Sequence, residues 1–221
     1  MVAMARRKRM NPEIFAYASM LLLSREDVRV LKIRDAYSLH KVVYGLFEDR
    51  RSKEEKSLVS SGILYADKGG DIHFRKLLIL SDRRPHQTPQ FGKIETRPVF
   101  SSFLNCDHYL FEVIVNPSKR DNHSGKIMPV IGRENIRQWF LDRAGDSWGL
   151  SVSPDSLEVV NAGVQKFEKQ NGQFITHGSA TLKGEFHVVD RERFVKSFKN
   201  GIGRGKAFGF GLLQIVPVLT K

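Results

Sequence analysis

The sequence predicts an α+β fold built from two βαββαβ units in tandem. Three observations carry this prediction. A helical apolar stripe follows a first strand, a β-hairpin signal follows that helix, and the same order of strand and helix returns in the second half of the chain. A single α+β domain with coincidental repetition is the alternative.

From Glu13 to Ser24 the residues are apolar and β-compatible (Ile14, Phe15, Tyr17, Met20 to Leu23), which predicts the first strand, closed by a charged turn at Arg25-Glu26-Asp27. Between Asp35 and Asp49 the period changes. Ala36, Leu39, Val43 and Leu46 recur at i, i+3, i+7 and i+10, a helical stripe with Asp35 placed to cap its N-terminus. Gly62 to Ala66, the turn signal Asp67-Lys68-Gly69-Gly70, then Ile72 to Phe74 and Leu77 to Leu80 read as a hairpin. Pro85, Pro89 and Pro98 punctuate the next segment, in which Lys93 to Val99 is the closing strand. The second half offers a strand at Tyr109 to Val115 and a helix from Arg133 to Ala144 with Ile136, Trp139 and Phe140 on one face. Another strand begins at Leu157, and Lys166 to Ala180 forms a hairpin turning at Lys169-Gln170-Asn171-Gly172. An amphipathic helix from Asp190 to Lys199 and a last strand from Leu212 to Val218 complete the unit. The expected organisation is a basic extension at 1–13, a first domain at 14–100 and a second at 107–221.

The 221 residues carry 36 Lys+Arg against 24 Asp+Glu, a net charge of +12. Such an excess favours a polyanionic partner, either nucleic acid or an anionic membrane face. A hydrophobic content of 41% supplies a core and excludes disorder and collagen-like repeats. Apolar runs such as Met20 to Leu23 fall far short of the roughly 20 residues of a spanning helix. The basic head Arg6 to Arg9 runs into Asn11-Pro12-Glu13 without the apolar stretch of an export signal, so a soluble, cytoplasmic protein is expected. Cys106 is the sole cysteine, which excludes an intrachain disulfide and every CxxC motif. Without a long basic amphipathic helix, membrane attachment is the disfavoured reading of the charge.

Gly201 to Gly211 places five glycines in eleven residues. Such a run lets backbone N–H groups approach phosphates, and Arg204 and Lys206 add charge at the same place. It is not a P-loop, since Asn200 stands five residues before Gly205 and Ala207 follows Lys206, and it lacks the G-x-G-x-x-G spacing. A flexible loop before a strand and a phosphate-contacting loop both fit this composition. On the first helix, Tyr37, His40 and Tyr44 form a second stripe beside the apolar one. A histidine flanked by phenols suits proton transfer, although a structural histidine has the same pattern. The other histidines show no HExxH and no paired carboxylate motif, so no metal site is expected. The clusters Arg50-Arg51-Ser52-Lys53, Arg83-Arg84, Lys119-Arg120 and Lys166 with Lys169 are ordinary solvated surface taken singly, and together they suit a phosphate backbone.

With those residues in view, the chain resembles the CRISPR-associated endoribonucleases of the CasE kind, RAMP-superfamily proteins that cut precursor CRISPR RNA within its repeats. Tyr37-Ser-Leu-His-Lys-Val-Val-Tyr-Gly-Leu-Phe47 is similar to the family's first helix with its Y-x-L-H core. Phe111-Glu-Val-Ile-Val-Asn-Pro-Ser-Lys119, Gly125-Lys-Ile-Met-Pro129 and the helix with Trp139 and Phe140 resemble the opening of the second domain. Gly201 to Gly211 followed by Leu212-Leu213 is similar to the C-terminal glycine-rich loop.

The resemblance implies two tandem ferredoxin-like domains, with His40 as the catalytic histidine and Tyr37 as the tyrosine one turn earlier. It implies a repeat stem-loop RNA held by the glycine loop (Gly201, Gly203, Arg204, Gly205, Lys206) and by a basic hairpin carrying Lys166 and Lys169. Lys119 and Arg120 are further candidates for phosphate contact. The implied reaction needs no metal and no cofactor: the 2′-OH upstream of the scissile phosphate attacks in line, leaving a 2′,3′-cyclic phosphate and a 5′-OH. Lys41, the lysine nearest His40, is the candidate cation although a helix rotates it about 100° away. Tyr44 lies nearer the His40 face, as a hydrogen-bond donor or a core residue. The implied partners are repeat RNA and other CRISPR-associated subunits of a ribonucleoprotein. The alternative is a non-catalytic RNA-binding subunit of the same superfamily, in which His40 is structural.

Overall fold

The computed structural model describes residues 13–52, 54–57, 59–86, 89–168 and 174–219. The basic extension expected before residue 13 and the hairpin turn expected at 169–172 lie outside the described residues.

The first half comprises β1 (Ile14–Ser24), α1 (Arg25–Val30), α2 (Ala36–Tyr44), β2 (Ile63–Gly70), β3 (Phe74–Ser81) and β4 (Lys93–Phe100). Its four strands form one antiparallel sheet in the order β2-β3-β1-β4. The second half comprises β5 (His108–Val115), a small hairpin of β6 (Ser118–Arg120) and β7 (Ile127–Pro129), α3 (Arg133–Trp148), β8 (Leu150–Val152), β9 (Glu158–Glu168), β10 (Phe174–Val188), α4 (Arg191–Asn200) and β11 (Gln214–Pro217). Its sheet runs β11-β5-β10-β8. Both β8 and β9 pair with β10, β8 opposite residues 186–188 and β9 opposite 174–183, so they are two lengths of one edge strand interrupted around Pro154–Ser156. Each sheet therefore has the same order, with its first strand flanked by its third and fourth. The protein consists of two ferredoxin-like domains.

Three local expectations need correction. The charged turn after β1 is the start of a helix: Ser24 Oγ accepts the Asp27 N–H at 3.1 Å and Asp27 Oδ2 accepts the Ser24 N–H at 2.7 Å, a reciprocal cap. The turn between β2 and β3 lies at 71–73 and not at 67–70. Asp71 Oδ1 accepts the N–H groups of His73 and Phe74 at 2.8 and 2.9 Å, so an Asx turn reverses the chain, and Asp67 to Gly70 extend β2 through a register irregularity. Finally, no helix lies among the described residues between β3 and β4, where a full βαββαβ unit has its second. Pro85 and Pro89 account for this, since each lacks an N–H and restricts the residue before it.

In β2, Ile63, Leu64, Tyr65 and Ala66 are all buried, as expected of a strand covered on both faces. Ile63 and Tyr65 join Leu21, Leu23, Leu77 and Ile79 under Leu39 and Val43 of α2. Leu64 and Ala66, with Ala16 and Leu80, belong instead to the core of the second domain, among Val113, Phe140 and Leu213. The first sheet thus lies between α2 and the second domain, which fixes α2 relative to the glycine loop.

The end of α3 offers a stability test. Gly149 caps the helix at φ +74°, and a Cβ there would stand 2.4 Å from the Asp190 carbonyl oxygen. Gly149→Ala is expected to destabilise the protein by about 1–3 kcal/mol or more. Gly145→Ala, inside the same helix with nothing within 4 Å of the added carbon, is expected to stabilise by about 0.4–1 kcal/mol. Denaturant midpoints of the two variants check both signs.

Candidate active site

α2 begins with a reciprocal cap in which Asp35 Oδ1 accepts the Ser38 N–H at 2.8 Å and Ser38 Oγ accepts the Asp35 N–H at 3.0 Å. Leu39 and Val43 bury its inner face, and the helix ends at Tyr44, so Leu46 of the predicted stripe is buried but lies beyond it. With that face fixed, His40 is brought to the rim and half-buried.

The His40 Nδ1 donates to the Ala207 carbonyl at 2.8 Å. A carbonyl oxygen only accepts, so the proton of the neutral ring is on Nδ1 and Nε2 is its basic nitrogen. The Tyr65 hydroxyl, rising from β2, shares its proton between the same carbonyl at 3.3 Å and that of Ala36 at 3.4 Å. Three rings surround the imidazole: Tyr44 at 4.1 Å between centroids, Phe208 at 5.7 Å, and Tyr37 at 6.3 Å and only 12° from parallel. Burial lowers the His40 pKa from its ordinary 6.5. The Ala207 bond opposes that shift, and the charges of Arg51 and Lys41 add to it. Tyr44 is pushed the other way, above its ordinary value, by burial, and its hydroxyl pairs with Ser61 Oγ at 2.9 Å. At neutral pH the site holds a neutral imidazole beside a protonated phenol.

Ala207 can reach α2 because of how the glycine loop is packed. Gly201, Gly203, Gly205, Gly209 and Gly211 all have φ between +71° and +86°, where side chains are strained. A Cβ on Gly201 would stand 2.8 Å from the Leu64 side chain, and one on Gly209 would stand 3.1 Å from the Tyr65 ring. The loop is seated on β2 through its glycines, a packed element more than a flexible connector. Gly201 is buried and shapes the loop, whereas Gly203, Arg204, Gly205 and Lys206 form its solvent-facing rim. Burial holds the Lys206 ammonium below its ordinary pKa, and among the described residues no carboxylate is within 4.0 Å of it.

The remaining candidates are dispersed. Lys119 and Arg120 are exposed on β6, where Arg120 Nη1 donates to the Gly125 carbonyl at 2.9 Å. The Lys166 backbone pairs with Thr176 in the β9–β10 ribbon; its side chain, and all of Lys169, lie outside the described residues. Lys41 is exposed, its ammonium 4.6 Å from the centroid of the Tyr37 ring.

Arg51 is the cation that the sequence did not single out. It belongs to a cluster that reads as solvated surface, yet it is half-buried, with Nε 3.0 Å from Asp49 Oδ1 and Nη1 donating to the Val59 carbonyl at 3.2 Å. Arg83 ties the same strap of chain, donating to the carbonyls of Ser61 at 3.1 Å and Glu48 at 2.8 Å. Nothing in the spacing of a charge run distinguishes an arginine folded back on its own strap from its exposed neighbours.

Comparison with known proteins places this geometry in context. The family described as CRISPR associated protein matches residues 16–217. The chain belongs to that family. It is 26% identical over 118 residues to the CRISPR-associated endoribonuclease Cse3 of Thermus thermophilus, an alignment covering 48% of this chain and 54% of the relative. The chain therefore spans about half the length of that curated relative. A solved structure of the CRISPR endoribonuclease Cse3 bound to a 19 nt RNA is similar with a TM-score of 0.75 and 18% identity, over 91% of this chain and 100% of that one. A chain of a CRISPR RNA-guided surveillance complex is similar at 0.65 and 17%, over 91% and 100%. The shared architecture is the pair of ferredoxin-like domains.

The family member described here is expected to show a His40 imidazole that titrates below pH 6.5 with its neutral proton on Nδ1, both readable from NMR of ring-labelled histidine. The unfolded chain takes up that proton near pH 6.5 and the native state only at lower pH. Stability is therefore expected to fall as pH drops through that window. A midpoint at or above 6.5 contradicts the assignment.

Proposed function

We propose that this protein is an endoribonuclease that cuts precursor CRISPR RNA within its repeat hairpin, without a metal ion, and that His40 moves the proton. The observation that carries this reading is the neutral His40, held in one tautomer by the glycine loop and flanked by phenols, in a chain of net charge +12. The relatives named above, one an endoribonuclease seen with RNA and one a chain of a surveillance complex, support both the activity and the partners. Repeat RNA is the substrate, and other subunits of a CRISPR ribonucleoprotein are the companions.

In this reaction His40 Nε2 takes the proton of the 2′-OH upstream of the scissile phosphate. The freed oxygen attacks phosphorus in line, and the P–O5′ bond breaks. The leaving 5′-oxygen needs one proton, and one has just been taken up. The net change therefore moves a proton from the 2′- to the 5′-oxygen and leaves a 2′,3′-cyclic phosphate and a 5′-OH. A cation near the phosphorane stabilises its charge, a role for which Arg51 and Lys41 are the candidates. Tyr37 lies where it can position a reacting group, and Tyr44 stays protonated as a donor. The solvent-facing rim of the glycine loop, with Lys119, Arg120, Lys166 of the β9–β10 ribbon and the nearby Lys169 of the sequence, takes the stem through phosphates and 2′-OH groups.

In EDTA, purified protein is expected to make a single cut at the stem base of a hairpin RNA from its own locus, with a cyclic phosphate at the new end. His40→Ala is expected to slow the cut by roughly 10²–10⁴ while leaving the hairpin affinity unchanged. Because neutral His40 is the base, the rate is expected to fall as pH drops through the imidazole pKa, below 6.5. Tight binding without a cut would favour a non-catalytic RNA-binding subunit, and undiminished cutting by the variant would dismiss His40.

A further inference from the structure

A groove of about 590 Å³ runs along the outer side of α2, and every residue that lines it belongs to the first domain. Its walls combine three cations, Lys32, Arg34 and Lys41, with two aromatic rings, Tyr37 and Phe91. The one carboxylate in it, Asp35, is occupied by the Ser38 N–H and hydroxyl at 2.8 and 2.7 Å. Among the described residues no acidic side chain pairs with Lys32 or Arg34, and both are exposed. Lys41 lies over the Tyr37 ring, so charge and π-face are presented together.

Tyr37 joins this groove to the candidate active site, since its ring lines the groove and also lies 6.3 Å from the His40 ring. None of the stem-binding candidates contributes to the groove. We propose that it holds the single-stranded RNA that continues past the scissile phosphate on the cut strand, its phosphates on Lys32 and Arg34 and an unpaired base against Phe91. This rests on the endoribonuclease reading above and extends it to a second, unpaired part of the substrate. A groove of cations with aromatic rings between them fits a single strand, because stacking tolerates any base and the cations follow the backbone. Of the three rings around His40, only Tyr37 also lines the groove, so a strand passing from His40 into the groove passes that ring.

The test uses the whole protein and a hairpin made uncleavable by a 2′-deoxy sugar at the cut site. The cut strand either ends at the scissile position or continues as a short unpaired tail, and a third RNA has the tail on the opposite strand. Fluorescence anisotropy over a salt series is expected to show binding at least about fivefold tighter with the cut-strand tail, the lower end for stacking one base. Lys32→Asn with Arg34→Ala, and separately Phe91→Ala, are expected to abolish that gain while binding the tailless hairpin as wild type does. Asn is chosen because Lys32 has φ +50°. The double variant is also expected to flatten the salt dependence for the tailed RNA by about 1.4, at roughly 0.7 per phosphate contact on a single strand. A tail that adds nothing to a hairpin that is bound, and whose all-ribose form is cut, overturns the groove alone. A gain that survives both variants, or that appears only with the opposite-strand tail, overturns it too. A hairpin that is not bound at all overturns the endoribonuclease reading and the groove with it.

Discussion

One carbonyl group, that of Ala207, holds the site together. It accepts from His40 on α2 and from Tyr65 on β2, so a single backbone atom of the second domain orders two side chains of the first. That arrangement requires the 206–208 turn to lie almost on the first sheet, at a spacing that leaves no room for side chains on Gly201 and Gly209. The glycines are there for proximity as much as for backbone freedom. They lose more conformational entropy on folding than other residues, and the apolar contact with Leu64 and Tyr65 offsets that loss.

The docking of the two domains is mostly an apolar matter. Leu64, Ala66 and Leu80 enter the second domain's core, and Phe15 of β1 meets Phe198 of α4 at 6.2 Å between centroids. The polar clasp at the same junction, Lys68 with Glu112 and with Gln214 at 2.9 Å, is partly solvated, and Glu112 is shared with Lys183 at 3.1 Å. Exposed pairs of this kind contribute roughly 0–1 kcal/mol each, so they fix register more than they hold the domains together. Burial opposes ionisation of the Glu112 carboxyl, and Lys68 and Lys183 outweigh it and hold the pKa below its ordinary value.

Sequence and structure agree where local chemistry determines the outcome. The Asp35 cap, the Leu39 and Val43 face of α2, and the repeated order of strands all follow from spacing and from caps that act over three or four residues. They part where tertiary partners decide. A charged tripeptide after β1 looks like a turn until Ser24 and Asp27 close a reciprocal cap, and a glycine pair looks like the hairpin tip until Asp71 provides a better one. Of the candidate site, the His40 stripe was legible from helical period, and the glycine loop from composition. Arg51 was not, because its burial depends on Asp49 and on the Val59 carbonyl, a contact made by a strap with no period of its own. Nor could spacing show that the loop and the helix touch.

His40 and Ala207 stand 167 residues apart in the chain. During synthesis the first domain emerges early, with Leu21, Leu39, Val43, Leu77 and Ile79 forming a core of its own while Leu64, Ala66 and Leu80 wait for the second domain to cover them. Its imidazole then has no partner for Nδ1 and is free to hold its proton on either nitrogen. Only when the glycine loop has been made and has seated itself on β2 is one tautomer selected. The histidine therefore acquires its orientation only once the glycine loop has docked, and a first domain by itself does not have the assembled site.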